Sequence, residues 1–232
     1  DATDYLITPG LINAHTHCAL SYVKHSCHGD PDVIRNIFFE TEKNLTPDLV
    51  EGLALQYIWE GLLSGVTCFA DHYYYVEGTA RALEKFGARG VLFECINDIT
   101  GPLRDKITWD QARKTIENWP FSSRLTPGVG PHAMDTTSIK IFKELSQYAK
   151  ENNLPLHFHL SQTDGELEYT KKKHGKTPVE LALDCKALGE NSLAVHLISA
   201  TSDDIKILQD TGTNVGLCPS SQVMYARLAP IQ

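Results

Sequence analysis

The sequence predicts an α/β fold in which parallel strands alternate with helices and curl into a TIM-type (β/α) barrel. Two features of its pattern point there. Short apolar, β-branched or aromatic runs alternate with longer segments of helical period along all 232 residues, a length that suits one domain of the barrel class. Histidines then stand at the ends of four different runs. A barrel gathers every strand end on one face, whereas a doubly wound open sheet collects ligands at a single switch point.

The elements follow in order. A first strand is expected over 6–15, ending in Ala14-His15-Thr16-His17. Residues 19–45 lack clear periodicity and read as a loop and short helix covering that strand's end, where barrel enzymes cover their substrate. Thr46-Pro47 opens a helix over 47–64, and strands over 66–72 and 88–97 flank a helix over 76–86 that Gly87 stops. A helix over 109–118 leads to a strand over 125–132, and Thr137-Ser138 opens a helix over 137–152. The strand over 155–161 carries His157-Phe158-His159. Helical sequence over 164–187 breaks around Gly175 to Pro178, and a strand over 192–198 contains His196. Thr201-Ser202-Asp203-Asp204 begins a helix over 201–211 that ends at Gly212, and a last strand is expected over 213–218.

Composition excludes several functions. A net charge of −8 argues against a nucleic-acid or anionic-membrane surface, and Lys171-Lys172-Lys173 reads as a solvated helix face. Six cysteines lie far apart without a Cys-x-x-Cys pair, which suits a reducing cytoplasm. No apolar stretch approaches the roughly 20 residues that span a bilayer, so no membrane partner is expected. Trp59, Trp109 and Trp119 read as core or helix-packing residues.

On a strand, side chains at i and i+2 share a face, so His15 with His17, and His157 with His159, can each present two imidazoles to one cation. His132 and His196 end two further strands. Neutral imidazole suits zinc or ferrous iron, and a catalytic ion with an open position lowers the pKa of water toward 7. Other signals are weaker. Gly128-Val129-Gly130-Pro131-His132-Ala133 fits a dinucleotide fingerprint formally, but no helix follows at once. His25, His28 and His72 suit surface loops at least as well as a pocket, and Tyr73-Tyr74-Tyr75 suits a packed loop as well as a stacking platform.

Taken together, Thr8-Pro9-Gly10-Leu11-Ile12-Asn13-Ala14-His15-Thr16-His17, Gly65-Val66-Thr67-Cys68-Phe69-Ala70-Asp71, Gly130-Pro131-His132-Ala133, His157-Phe158-His159-Leu160, Val195-His196 and Cys218-Pro219-Ser220-Ser221 resemble the metal-dependent amidohydrolase superfamily. The resemblance is to the branch of S-adenosylhomocysteine and methylthioadenosine deaminases, guanine and cytosine deaminases, and triazine hydrolases. It implies His15, His17 and His159 as ligands of one divalent metal, zinc first and iron as the alternative. By the same resemblance His196 orients or deprotonates the attacking water, His132 contacts the substrate, and His157 lies behind the metal. The implied activity is hydrolysis of a C–N bond in a small nitrogen heterocycle.

Two departures accompany it. Gln162 stands where the family's deaminases typically carry a proton-shuttling glutamate, and an amide can hydrogen-bond a substrate but cannot act as an acid or base. Glu166 and Glu168 follow in expected helix, and neither Asp71 nor Asp135 is a convincing replacement for the family's fourth ligand, an aspartate closing strand 8. The expectation is therefore a catalytic barrel over 1–232 with strands 1–7, a fragment without strand 8 or the accessory β-sandwich. Its unpaired edge strands should favour a homo-oligomer. The alternative is a catalytically degenerate barrel with at most weak metal or ligand binding.

Overall fold

The computed structural model describes residues 3–24, 32–224 and 228–230. Among them, seven parallel strands form one sheet in sequence order: β1 (Leu11–Thr16), β2 (Val66–Tyr73), β3 (Arg89–Ile96), β4 (Leu125–Pro131), β5 (Leu156–Leu160), β6 (Ser192–His196) and β7 (Asn214–Gly216). Each strand pairs in parallel with its neighbour, with Thr16 opposite Asp71 and Leu160 opposite His196. This is the incomplete barrel that the alternation predicts, with β1 and β7 as its end strands.

The helices follow the expected segments closely. They are α2 (Pro47–Leu63), α3 (Val76–Phe86), α4 (Trp109–Glu117), α5 (Ile139–Glu151), α6 (Asp164–His174), α7 (Pro178–Asp184) and α8 (Ser202–Thr211). Side-chain oxygens of Thr46, Thr108, Ser138, Thr163, Thr177 and Thr201 accept from backbone N–H groups in the first turns of their helices. Gly87, Gly175 and Gly212 end α3, α6 and α8 in the left-handed conformation that glycine adopts without strain. The exception is α3, which follows the left-handed Tyr75. There, Glu94 of β3 accepts from the N–H groups of Tyr75 and Val76 at 2.7 and 3.1 Å, placing a carboxyl at the helix N-terminus.

The first strand begins five residues later than expected, and Tyr5, Leu6 and Ile7 before it are exposed. Between β1 and α2 lie a 3₁₀ segment (Cys18–Val23), a π-helical turn (Ile34–Phe38) and the short α1 (Phe39–Glu42), which agrees with a broken cover over the strand end. A further helix, α9 (Pro219–Met224), follows β7. The period of six residues is too short to reveal it in advance. Trp59 is corrected: it is 53% exposed on α2, while Trp109 packs on Tyr148 and Trp119 on Phe121.

Core packing sets which side chains face the barrel axis. Phe158 of β5 is fully buried and meets Phe142 of α5 edge-to-face, with centroids 5.3 Å apart. Strand alternation therefore turns His157 and His159 to the opposite, inward face. Phe69 of β2 is packed in the same way with Ile58 of α2 and Leu83 of α3. The interface between sheet and helices is thus apolar, and imidazoles occupy the strand C-terminal end of the interior.

Candidate metal centre

Five histidines that the sequence placed on four strand ends meet in the structure. His15 lies 4.8 Å from His17, 5.0 Å from His159 and 5.5 Å from His196 between ring centroids, and His132 lies 4.8 Å from His159. Ligand atoms of His15, His17 and His159 lie within 4.8 Å of one another.

Their hydrogen bonds fix which nitrogen faces the centre. His17 Nδ1 lies 2.5 Å from the carbonyl oxygen of His72, and His159 Nδ1 lies 3.0 Å from that of His132. A carbonyl only accepts, so both Nδ1 atoms carry the hydrogen and both Nε2 atoms of the neutral rings are left with bare lone pairs. Those two Nε2 atoms face each other at 3.3 Å. Burial lowers the pKa of both rings below the ordinary histidine value and so favours the neutral form. Two lone pairs at that separation repel unless a cation lies between them, and such backbone-anchored imidazoles are the usual support of metal ligands. The donor set fits a divalent ion of the zinc type.

His15 completes the set through a different partner. Its Nδ1 is 2.9 Å from Nε2 of His157, so donation to His157 leaves His15 Nε2 for the centre. His157 is fully buried behind the cluster with its pKa down to about 3, held neutral first by desolvation. From there it can support the His15 ring.

The strand ends that carry these rings are bent. Ser161, His196 and Leu197 have φ of 50°, 87° and 56°, a region that non-glycine residues seldom occupy. Ser199 stabilises the bend, its N–H donating to the Ser161 carbonyl at 2.9 Å and its hydroxyl reaching the carbonyls of Ser161 and Thr163. His196 is thereby turned against His159, the rings stacked at 5.4 Å.

A cavity of about 1090 Å³ opens over the cluster, with His132, Gln162 and His196 among its lining residues. His132 Nδ1 is 2.7 Å from the Thr136 hydroxyl. Gln162 donates its backbone N–H to Glu166 at 2.8 Å. Glu166, in the first turn of α6, is buried with its pKa raised to about 8 by desolvation, and it holds the β5 end from behind. Asp71 likewise acts within the scaffold: buried, it accepts from the Cys18 N–H at 2.6 Å and ties the 3₁₀ segment to β2. Asp135 pairs with Arg35 at 3.0 Å, joining the segment after β1 to the loop after β4.

Glu42 escaped the sequence reading, and His72, weighed there between a surface loop and the pocket, lines the cavity. His72 is buried at the end of β2 beside His157 and His159, rather than in a surface loop. Glu42 ends α1 and lines the cavity, its pKa raised to about 7 by desolvation. Its only signal in the sequence was a carboxylate within the aperiodic cover. Tyr73 and Tyr74 are buried in the cavity wall. His25 and His28 lie outside the described residues.

A pH dependence follows. Burial depresses the pKa of His15, His17, His72, His132, His157, His159 and His196, so on acidification the unfolded chain takes up protons that the native cluster refuses. Stability from this source is complete above the unfolded value near 6.5 and is lost as pH falls below it. Glu42, Asp71, Glu94, Asp135 and Glu166 have raised pKa values and act in the opposite sense, gaining stability as pH falls toward their unfolded values. Seven imidazoles outnumber five carboxyls near pH 5.5. The expected result is a metal-free melting temperature that drops between pH 7 and pH 5; one that rises over that range would contradict this assignment of charge.

The architecture is that of a barrel protein, and three histidines at its strand C-terminal face are placed so that they could hold a cation. The chain belongs to the amidohydrolase family, which it matches over residues 6–229. It is 32% identical over 236 residues to a 5-methylthioadenosine/S-adenosylhomocysteine deaminase of Thermoanaerobacter pseudethanolicus, a match covering 100% of this chain and 55% of that protein. It is 31% identical over 238 residues to a 5'-deoxyadenosine deaminase of Methanocaldococcus jannaschii, covering 100% and 56%. The chain spans about half the length of the curated relatives it matches. Among solved structures, a Xanthomonas campestris adenosine deaminase with bound zinc superposes with a TM-score of 0.87 at 22% identity, over 95% of this chain and 52% of that one. A guanine deaminase from C. acetobutylicum, with guanine in its active site, gives 0.86 at 18% identity, over 95% and 56%. These two likenesses support the fold. No described helix is long and apolar enough to cross a membrane.

Proposed function

We propose that this protein is a metal-dependent hydrolase that cleaves a C–N bond of a small nitrogen heterocycle by attack of an activated water. The observation that carries the reading is the pair of Nε2 lone pairs of His17 and His159 facing each other at 3.3 Å. His15, His17 and His159 would hold one divalent ion, zinc in the first instance and iron as the alternative. When bound, such an ion supplies Lewis acidity and lowers the pKa of water toward 7.

The chain's own residues supply the remainder. Burial holds His196 neutral, so its ring can accept a hydrogen bond from the attacking water and orient it. His132 is neutral for the same reason and borders the cavity, where it can hydrogen-bond the heterocycle. Gln162 offers an amide to a ring nitrogen without moving a proton. Glu42 faces the same cavity and can accept from a hydroxyl or amino group of the substrate. The relatives named as deaminases of adenosine derivatives favour an aminopurine nucleoside as that heterocycle.

The reading is tested by loading the protein with zinc and measuring ammonia release from adenosine derivatives, guanine, pterins and aminotriazines. Zinc-dependent release from at least one of them is expected. Release from none, with zinc bound, would favour the degenerate barrel to which Gln162 also points.

Self-association belongs to the same proposal. Leu11 and Ile12 of β1 and Val215 of β7 are exposed, and among the described residues these end strands have one neighbour each, an arrangement that invites pairing with a second copy. Size-exclusion chromatography with light scattering is expected to give a mass above 25.8 kDa. A stable monomer at high concentration would contradict it.

A further inference from the structure

A second set of donor atoms adjoins the three-histidine one. Cys218, half-buried just after β7, brings its sulfur within 4.8 Å of ligand nitrogens of His15 and His196. The backbone holds it there, because the Cys218 carbonyl accepts from the Gln222 N–H of α9 at 3.0 Å. His196 supplies an independent observation: it is 4% exposed, and its Nδ1 is buried without a hydrogen-bond partner among the described residues. A buried imidazole nitrogen with nothing to donate to or accept from is a costly feature that a bound cation would relieve.

We infer that His15, His196 and Cys218 form a separate thiolate-containing site for a thiophilic divalent cation such as cadmium or cobalt. Binding there releases the thiol proton to solvent and leaves sulfur bonded to the ion as thiolate. One sulfur and two imidazoles are a softer donor set than three imidazoles, so soft ions are drawn to it. The two positions compete. His15 Nδ1 is engaged by His157, and the single remaining nitrogen serves one ion or the other. An ion on His196 also removes the group that the proposed function uses to orient the attacking water, so thiophilic cations should inhibit by a route separate from displacement of the resident metal. This position shares His15 with the proposed hydrolytic centre but does not depend on that centre being catalytic.

Cobalt titration of chelator-stripped protein tests it, read by absorption rather than by turnover. The wild type should show a near-ultraviolet thiolate-to-cobalt charge-transfer band, and His17→Ala should show it more strongly per bound cobalt because the competing site is gone. Cys218→Ser should lack the band while keeping the weaker visible absorption of cobalt on imidazoles. His196→Ala should also lack the band, which covers the case in which the serine variant fails to fold. Absence of the band from both wild type and His17→Ala, or its survival in Cys218→Ser or His196→Ala, overturns the inference. A band in the wild type with no visible cobalt absorption in a folded Cys218→Ser counts instead against the three-histidine centre and leaves the thiolate position standing.

Discussion

Replacing His17 by alanine is expected to abolish zinc binding at the three-histidine centre and to reduce hydrolysis to the buffer rate. His17 has no substitute in the cluster. Its Nδ1 is anchored on the His72 carbonyl and its Nε2 opposes that of His159 at 3.3 Å, so removing the ring deletes one of two nitrogens that face each other directly. Metal ligands act as a set, and three imidazoles already sit at the minimum that catalytic zinc sites use. Two remaining rings cannot hold the ion against a chelator. Metal content after dialysis and ammonia release measure the two losses. His159→Ala is expected to behave alike, whereas His157→Ala should weaken zinc by on the order of 10- to 100-fold, the effect of losing an outer partner. Full activity in His17→Ala would mean that the chemistry lies elsewhere.

Gln162→Glu is expected to raise the rate of aminopurine deamination by on the order of 10²-fold, the lower end of what a positioned acid–base group contributes. The wild-type amide borders the cavity but has no proton to exchange at neutral pH. A carboxyl introduced there would border the cavity and could carry a proton between water and substrate, most effectively with a pKa near the operating pH. The gain should appear in kcat rather than KM and bring a new acidic limb to the pH profile. An unchanged or lower kcat in a folded variant would show that the wild-type site does not lack a proton carrier.

The barrel was legible because its signals are local. Apolar strand runs, Thr and Ser at helix starts, and glycines after α3, α6 and α8 each act within a few residues. The histidine cluster was legible for a related reason, since i and i+2 on a strand point one way and barrel topology brings strand ends together. What remained hidden depends on contacts distant in sequence. Glu42 reaches the cavity only because an aperiodic segment folds over β1, and nothing near it announces burial. His72 closes the strand expected over 66–72, but whether its ring faces the pocket is set by the rings that neighbouring strands bring beside it. Glu166 was assigned to helix, correctly, but its hold on the Gln162 N–H follows from the sharp turn at Ser161, where a positive φ has no sequence signature in serine. Trp59 was misjudged because helical period does not say which face of α2 meets the barrel.

The central claim is that His15, His17 and His159 together hold one divalent ion. Anomalous diffraction at the zinc edge, from crystals of zinc-loaded protein, tests it most directly. One strong peak is expected, within about 2.0–2.1 Å of a nitrogen of each of the three rings. Zinc-loaded crystals with no peak among those rings would contradict it.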